Sequence, residues 1–371
     1  IQDSAEDSTQ LQKFYDSVRE RCQIVKTAED RQRIVIELYE KFFAAALKKT
    51  VDKLGIVYTP VEVVDFILRS VDDVLLKNFG RRLTDSGVHI VDPFAGTGTF
   101  LVRLIQSGLI APADLLRKFF RELHANEIVL LAYYIAAINI ENAFHDAAQV
   151  KNYTPFEGIC FTDTFQASEN DDTKGQSTFK IMRNPLKENS QRIKDKLVTR
   201  IEVIVGNKHY SVGQTSANDN NQNQKYERLE KRIAETYAAK TNATNKNSLY
   251  DSYIKAFRWA SDRIDEGIIG FVTNGGWLDG AAMDGLRKSF AQEFAEIYVF
   301  NLRGNQRTQG EDSKREGGKI FGSGSRAPIA ITILVKRKHE GAAKIFYKDI
   351  GDYLKREDKL EKIRRLGSVL R

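Results

Sequence analysis

The chain reads as α/β: a doubly wound, mostly parallel sheet of about seven strands, covered by helices on both faces and preceded by a helical segment. Three observations predict this. Short apolar, strand-like runs alternate with helix-like runs from residue 53 to about 340. The runs "VHIVDPF", "RIEVIVG" and "GIIGFVTN" are apolar at successive positions, which suits strands buried on two faces. A turn with two glycines, "DPFAGTGTF", joins the first of these strands to a helix.

Taken in order, residues 1–52 are expected to be a helical connector. Ile34, Leu38, Phe42 and Ala46 recur at helical spacing, beside Val35, Tyr39 and Phe43. In "YTPVEVVDFILRSVDDVL", Thr59 is placed to cap a helix whose first position is Pro60. "VHIVDPF" is a strand and "TFLVRLIQSGLI" a helix. "RKFFRELHANEI" ends in a strand, "IVLLAYYIAAINIENAF" is a buried helix, and "FEGICFTDTF" holds a third strand. The polar stretch 168–198 reads as a surface insertion. After the strand "RIEVIVG", an Asn/Gln-rich loop turns into a charged helix at "KYERLEKRIAETYAAK". Leu249, Tyr253, Phe257, Ala260 and Ile264 mark the face of another helix. The strand "GIIGFVTN", the helix "DGLRKSFAQEF" and the strands "AEIYVFNL" and "PIAITILVKRK" complete the sheet, the last two separated by a Gly-rich loop of mixed charge. Residues 53–340 form the main domain in this reading, and 341–371 begin a further, truncated element.

Composition narrows the function. No apolar run reaches the ~18 residues of a membrane span, and no signal peptide opens the chain, so a cytoplasmic protein is expected. The two cysteines, Cys22 and Cys160, are too few and too far apart for a disulfide framework or a zinc site, and no metal is expected. A net charge of +7 suits a polyanionic partner such as nucleic acid. The chain begins at Ile1 without an initiator Met, as expected of a piece of a longer protein.

The strongest ligand signal is the turn after the first strand. Gly96 and Gly98 permit a tight bend and close approach to the backbone, and the helix beyond offers free N–H groups. The loop has neither the full dinucleotide spacing nor the Lys-Ser/Thr of a polyphosphate loop, which favours a nucleoside without a polyphosphate. Glu127, ending the second strand, can take both hydroxyls of a ribose. Asp163, after the third, can accept from an adenine amino group. With Asp92 these acids would line one crevice at the carboxyl ends of a parallel sheet.

These residues resemble a known family. "DPFAGTGTF", the preceding "YTP", the acid of "ANEI" and "FTDTF" are similar to the cofactor motifs of DNA adenine-N6 methyltransferases, in the gamma motif order. "SVGQTSANDNNQNQKY", "NSLYDSYIKAFRWASDRI" and "GIIGFVTNGGWLDG" resemble the methyltransferase part of single-chain Type ISP restriction–modification enzymes, from about residue 10 to about residue 350. The resemblance implies a seven-stranded Rossmann-like methyltransferase sheet and S-adenosylmethionine as methyl donor. It implies double-stranded DNA as partner, and nuclease, helicase and target-recognition parts within one bacterial, cytoplasmic chain. By position, Tyr58, Thr59 and Pro60 would lie near the methionine end of the donor. Asp92, Phe94, Ala95, Gly96 and Gly98 would form the loop around it, Glu127 would hold its ribose and Asp163 its adenine.

The family's catalytic turn, Asn/Asp-Pro-Pro-Tyr/Phe, corresponds here to Asn207, Lys208, His209 and Tyr210 in "IEVIVGNKHYSVG". An adenine amino nitrogen is a poor nucleophile because its lone pair is delocalised into the ring. The Asn side-chain oxygen and the next backbone carbonyl can bind both amino protons and turn that lone pair outward. The aromatic residue stacks on the flipped base. Asn207 and Tyr210 keep this spacing, while Lys208 and His209 stand where prolines would stiffen the turn. A cation at 208 should oppose both a sulfonium donor and transfer, unless it points to solvent or to DNA phosphate. The alternatives are a weakly active enzyme, a catalytically impaired module that binds DNA and cofactor, and an altered form of an ordinary Pro-Pro turn. A general-base role for His209 is not required, because the methylated amine can lose its proton to water. A protein glutamine methyltransferase would use a similar turn, but the basic charge and the restriction-enzyme-like stretches disfavour it.

Further candidates are basic. Lys225, Arg228, Lys231 and Arg232 follow the Asn-rich loop, and Arg303, Arg307, Lys314, Arg315, Lys319 and Arg326 dot the Gly-rich loop. Both sets could meet DNA phosphate. Trp277 could line a base pocket or simply pack.

Overall fold

The computed structural model describes residues 59–150, 152–169, 187–208, 225–321 and 326–371. The connector expected over 1–52 therefore lies outside the described residues, as do Tyr58, His209 and Tyr210. The strands are β1 (Ile90–Asp92), β2 (Leu123–Glu127), β3 (Ile159–Phe161), β4 (Val203–Asn207), β5 (Gly267–Asn274), β6 (Glu296–Arg303), β7 (Ile329–Lys336) and β8 (Lys344–Asp349). They make one sheet in the order β3-β2-β1-β4-β5-β7-β6-β8. Every neighbouring pair is parallel except those of β7, which runs antiparallel to both β5 and β6.

The principal helices are α1 (Val61–Phe79), α2 (Thr99–Gln106), α3 (Leu130–Ala148), α4 (Thr164–Glu169), α5 (Lys187–Val198), α6 (Glu227–Ile233), α7 (Ser252–Arg263), α8 (Asp284–Glu293), α9 (Gly310–Glu316) and α10 (Arg356–Leu366). The doubly wound arrangement follows from the apolar strands. Side chains alternate between the two faces of a strand. Ile90, Val203, Val205, Ile268 and Val272 face a core shared with α1, α2, α3 and α10. Val91, Ile204, Ile269 and Phe271 face a second core built with α6, α7 and α8. Polar ties reinforce both layers. Arg103 of α2 forks onto Asp65 of α1 at 2.9 and 2.8 Å. Buried Arg258 joins Asp262 and Glu293 across α7 and α8. No described helix is long and apolar enough to cross a membrane.

Three sequence expectations need correction. The sheet has eight strands rather than seven, and the eighth comes from 341–371, read as the start of a separate element. β8 pairs in parallel with β6 along the sheet edge, and its residues are mostly exposed. Its apolar run, Ile345, Phe346 and Tyr347, is short, flanked by charge and exposed, so it does not announce a strand of the main sheet. Ile350, Leu360 and Ile363 then pack into the α1 core, and Lys359 Nζ donates to the carbonyls of Leu302, Glu316 and Gly318. The stretch 168–198 is also more than an insertion, because its end is α5. Lys196 of that helix reaches under the sheet end to the carbonyls of Ala125 and Gly158. Finally, Pro60 rather than Thr59 takes the capping position of α1, its carbonyl accepting from Val63 and Val64. The Thr59 hydroxyl is used elsewhere.

If 341–371 is part of this core, Ile363→Ala should destabilise the whole chain by about 2–5 kcal/mol, the usual cost of truncating a buried aliphatic side chain. Urea denaturation followed by far-UV circular dichroism checks this. A transition left unmoved would mean that α10 is an independent appendage.

Candidate active site

The candidate residues gather at the carboxyl ends of four adjacent strands, β3-β2-β1-β4. Asp92 ends β1, Glu127 ends β2, Asp163 follows β3, and Asn207 ends β4; all four are buried. A parallel sheet brings strand ends from distant parts of the chain to one rim, where open α/β sheets bind ligands. The sequence expectation that these groups belong together thus has a geometrical basis.

The glycine loop is held by the acids it accompanies. Phe94 N–H donates to Asp92 Oδ1 at 3.0 Å, and Ala95 N–H to the Asn126 carbonyl at 3.0 Å. Gly96 N–H donates to Glu127 Oε2 at 2.7 Å, while Val129 N–H donates to Oε1 at 2.8 Å. Gly96 and Gly98 both take positive φ, 55° and 82°. A side chain at 98 would press on the Ala136 carbonyl and Ile140 of α3, whereas nothing described lies within 4 Å of where one would stand at 96. Gly98 is thus set by packing, and Gly96 faces open space.

Burial raises the Glu127 carboxyl above its ordinary range against these N–H bonds, and the positive charge of Lys208 pulls it down further. Asp92 is more extreme. Burial pushes its carboxyl up to about 7, opposed by the Phe94 N–H and assisted by the charge of Glu127. Among the described residues no donor meets Asp92 Oδ2.

At the end of β4, Asn207 Nδ2 donates to Thr59 Oγ1 at 2.9 Å. This is where the Thr59 hydroxyl is engaged instead of capping α1. The bond anchors the Asn207 amide, and among the described residues no donor meets its oxygen. Lys208 does not point to solvent. Its Nζ lies 4.8 Å from the ring centre of Phe94 and 5.5 Å from that of Phe165. Burial lowers its pKa, against the pull of Asp163, Glu127 and Asp251.

Asp163 is more occupied than the sequence suggests. Its Oδ1 accepts from the N–H groups of Phe165 and Gln166 at the start of α4, and its Oδ2 from the Tyr226 hydroxyl at 2.7 Å. Tyr226, Phe165 and Asp251 are not singled out as site residues by the sequence, although Phe165 ends "FTDTF" and Tyr226 and Asp251 lie in stretches that carry the family resemblance; nothing local to them says that they meet Asp163 or Lys208. Trp277 packs against Phe257 and Phe290 in the second core. Several basic candidates have anionic partners within the chain. Arg232 pairs with Asp262, Arg303 with Asp349, and Lys314 with Glu311. No cluster of three or more potential metal ligands occurs among the described residues.

The donor set fits a nucleoside-bearing cationic group. It combines three buried acidic side chains, one with an oxygen unpartnered among the described residues, with aromatic rings and a backbone at Gly96 that no described residue covers. Lys208 is the residue that does not fit.

The position of Asp92 gives a stability test. Its folded-state pKa is raised, so the folded chain holds a proton that the unfolded chain releases near pH 4. That contribution is complete at low pH and is lost as pH rises toward about 7. Asp92→Asn removes the titration. The variant should match the wild type at pH 4 and exceed it by up to ~4 kcal/mol at pH 8, in urea midpoints measured at both. A gap that does not vary with pH would mean that Asp92 is ionised throughout.

Comparison with known proteins follows the same line. Residues 30–250, more than half of the chain, match the N-6 DNA Methylase family. No curated protein sequence matches. Among solved structures, a nuclease-deletion mutant of the Type ISP restriction-modification enzyme LlaGI, in complex with a DNA substrate mimic, is 49% identical with a TM-score of 0.85, covering 97% of this chain and 29% of its own. The ATP-dependent Type ISP enzyme LlaBIII bound to DNA is 46% identical with a TM-score of 0.85, covering 96% and 24% respectively. A DrdV–DNA complex is 34% identical, again at 0.85, covering 97% and 34%. This chain therefore spans about a third or less of the length of each. Its fold, its strand-end acids and these matches agree: the chain belongs to the N-6 DNA methylase family.

Proposed function

We propose that the chain transfers a methyl group to the N6 amino group of adenine in double-stranded DNA, as the methylating part of a longer restriction–modification enzyme. The observation that carries this reading is Asn207, buried at the end of β4 beside the acids of β1, β2 and β3, with its amide anchored on Thr59. Membership of the family supports it, as do the structures of LlaBIII bound to DNA and of LlaGI in complex with a DNA substrate mimic.

S-adenosylmethionine supplies an electrophilic methyl group on a sulfonium when bound. Glu127 would hold its ribose, Asp163 its adenine amino group, and the loop of Asp92, Phe94, Ala95, Gly96 and Gly98 would surround it. Tyr58 and Pro60 would lie near its methionine end with Thr59. Asp92 Oδ2 offers an unpartnered acceptor to a donor there. On the DNA side, Asn207 Oδ1 and the Lys208 carbonyl would accept the two amino protons of an adenine, so that the nitrogen lone pair turns out of the ring plane. Tyr210 would stack on the flipped base. Thr59 is assigned as a positioning residue, because its hydrogen bond anchors the Asn207 amide at the end of β4. His209 needs no proton-transfer role in this scheme.

A second reading, a module that binds DNA and cofactor without methylating, is favoured by one observation. Lys208 turns toward the acids and rings of the cofactor site rather than away from them.

Incubating the chain with tritiated S-adenosylmethionine and unmethylated genomic DNA should place label on N6-methyladenine. Asn207→Ala should lose about a hundredfold or more of that rate. Label from a Lys208→Pro/His209→Pro variant but none from the wild type would select the second reading. Thr59→Val should lower kcat about tenfold with little change in KM for DNA, through loss of one anchoring hydrogen bond. An unchanged kcat would remove Thr59 from the positioning role.

A further inference from the structure

The pocket assigned to the nucleoside already holds a positive charge belonging to the chain. Lys208 leaves β4 at its carboxyl end and folds inward, so that its ammonium lies over Phe94 and Phe165. Those rings meet edge to face, 5.6 Å between centres, and Phe94 is backed by Trp259 and Phe271 at 6.4 Å each. Ammonium groups bind aromatic faces by attraction to the negative ring quadrupole, more strongly when water is kept away. A purine base seeks the same faces.

The acids are engaged as well. Glu127, Asp163 and Asp251 all favour the charged form of Lys208, and the Lys208 charge in turn draws the carboxyls of Glu127 and Asp251 down. Asp163 takes a hydroxyl from Tyr226 on its remaining oxygen. The oxygens of Glu127 and Asp163 already accept from groups of the protein, Gly96 and Val129 N–H on one and Phe165 N–H, Gln166 N–H and Tyr226 on the other, with the Lys208 charge nearby. Burial still raises the carboxyls of Glu127 and Asp251, and the half-buried Lys208 ammonium over the two rings is a positive charge that offsets part of that rise.

We infer that Lys208 is a built-in plug of the nucleoside pocket: its side chain occupies the aromatic and acidic surface that a nucleoside needs, and it must swing out before one is seated. The inference rests on the reading of Glu127, Asp163 and Phe94 as a nucleoside site. It differs from simple charge repulsion. Repulsion would weaken a sulfonium ligand and spare a neutral one, whereas a plug weakens both. If the chain is mostly in the plugged state, apparent affinity falls by the fraction that is open. One or two such contacts correspond to about a ten- to hundredfold loss.

Isothermal titration of the chain with adenosine and, separately, with S-adenosylmethionine tests this. Lys208→Ala should tighten both by about ten- to hundredfold. Tightening of S-adenosylmethionine alone would overturn the plug in favour of repulsion. If the wild type binds both and Lys208→Ala gains nothing, the plug falls while the pocket stands. If neither form binds either ligand at millimolar concentration, the pocket reading falls and the plug with it. A second measurement needs no variant. Acylation of Lys208 by an amine-reactive ester, read by peptide mass spectrometry, should be slow in the free wild-type chain and faster with saturating adenosine. Unchanged or slower labelling with adenosine would overturn the proposal.

Discussion

The site depends on Glu127 accepting two backbone N–H groups from different parts of the chain. One comes from Gly96, in the loop after β1; the other from Val129, at the entrance to α3. A buried carboxylate is costly unless its oxygens are met, and a loop amide turned inward is costly unless it finds an acceptor. Each need answers the other. The bond fixes how far the glycine loop bends toward β2, and the positive φ at Gly96 is what turns its N–H that way. With the loop pinned, Gly98 can settle against α3 and α2 can begin at Thr99. Removing this carboxylate would therefore disturb the frame of the pocket along with any direct contact to a ligand.

Much of this was legible in the amino-acid sequence because the central strands are buried on both faces. Such strands leave continuous apolar runs, and their carboxyl ends are marked by the residue that follows: Asp92, Glu127, Asn207. The edge was less legible. β8 places three apolar residues, Ile345, Phe346 and Tyr347, in exposed positions, so its sequence does not tell an edge strand from a separate element until Ile350, Leu360 and Ile363 are seen packing in the core of α1. Thr59 misled in an instructive way. A Thr before a Pro obeys the local rule for a helix cap, but its hydroxyl is claimed by Asn207, 148 positions away. Local rules fail most often where a distant functional group competes for the same atom. Tyr226 and Phe165 were invisible for a related reason: their roles exist only as contacts with Asp163 and Lys208.

The substitutions in the catalytic turn carry different physical consequences. At 208 the backbone carbonyl survives any side chain, so the lost proline costs enforcement of geometry rather than an acceptor. The lysine side chain adds a separate effect, because it turns toward Phe94 and Phe165. On the proposed function, one residue would therefore bear on both the seating of the donor and the presentation of the base. Asn207, one residue earlier, keeps its anchor on Thr59.

The reversal of β7 has a bearing on how such a domain can be elaborated. Because β7 pairs antiparallel with its neighbours, Ile329 sits beside both Asn274 and Arg303, the ends of β5 and β6. The long connection from Gly304 to Pro328 consequently overhangs the same rim as Asp92, Glu127 and Asn207, whereas the short turn from Arg337 to Ala343 lies at the opposite rim. Were β7 parallel, the chain would have to cross the sheet and spend that length on a covering helix. One inverted strand instead makes the two rims unequal. One is closed by a brief return, and the other carries a long segment whose described part is itself tied down, Glu316 and Gly318 by Lys359 and Ile320 and Phe321 by the core.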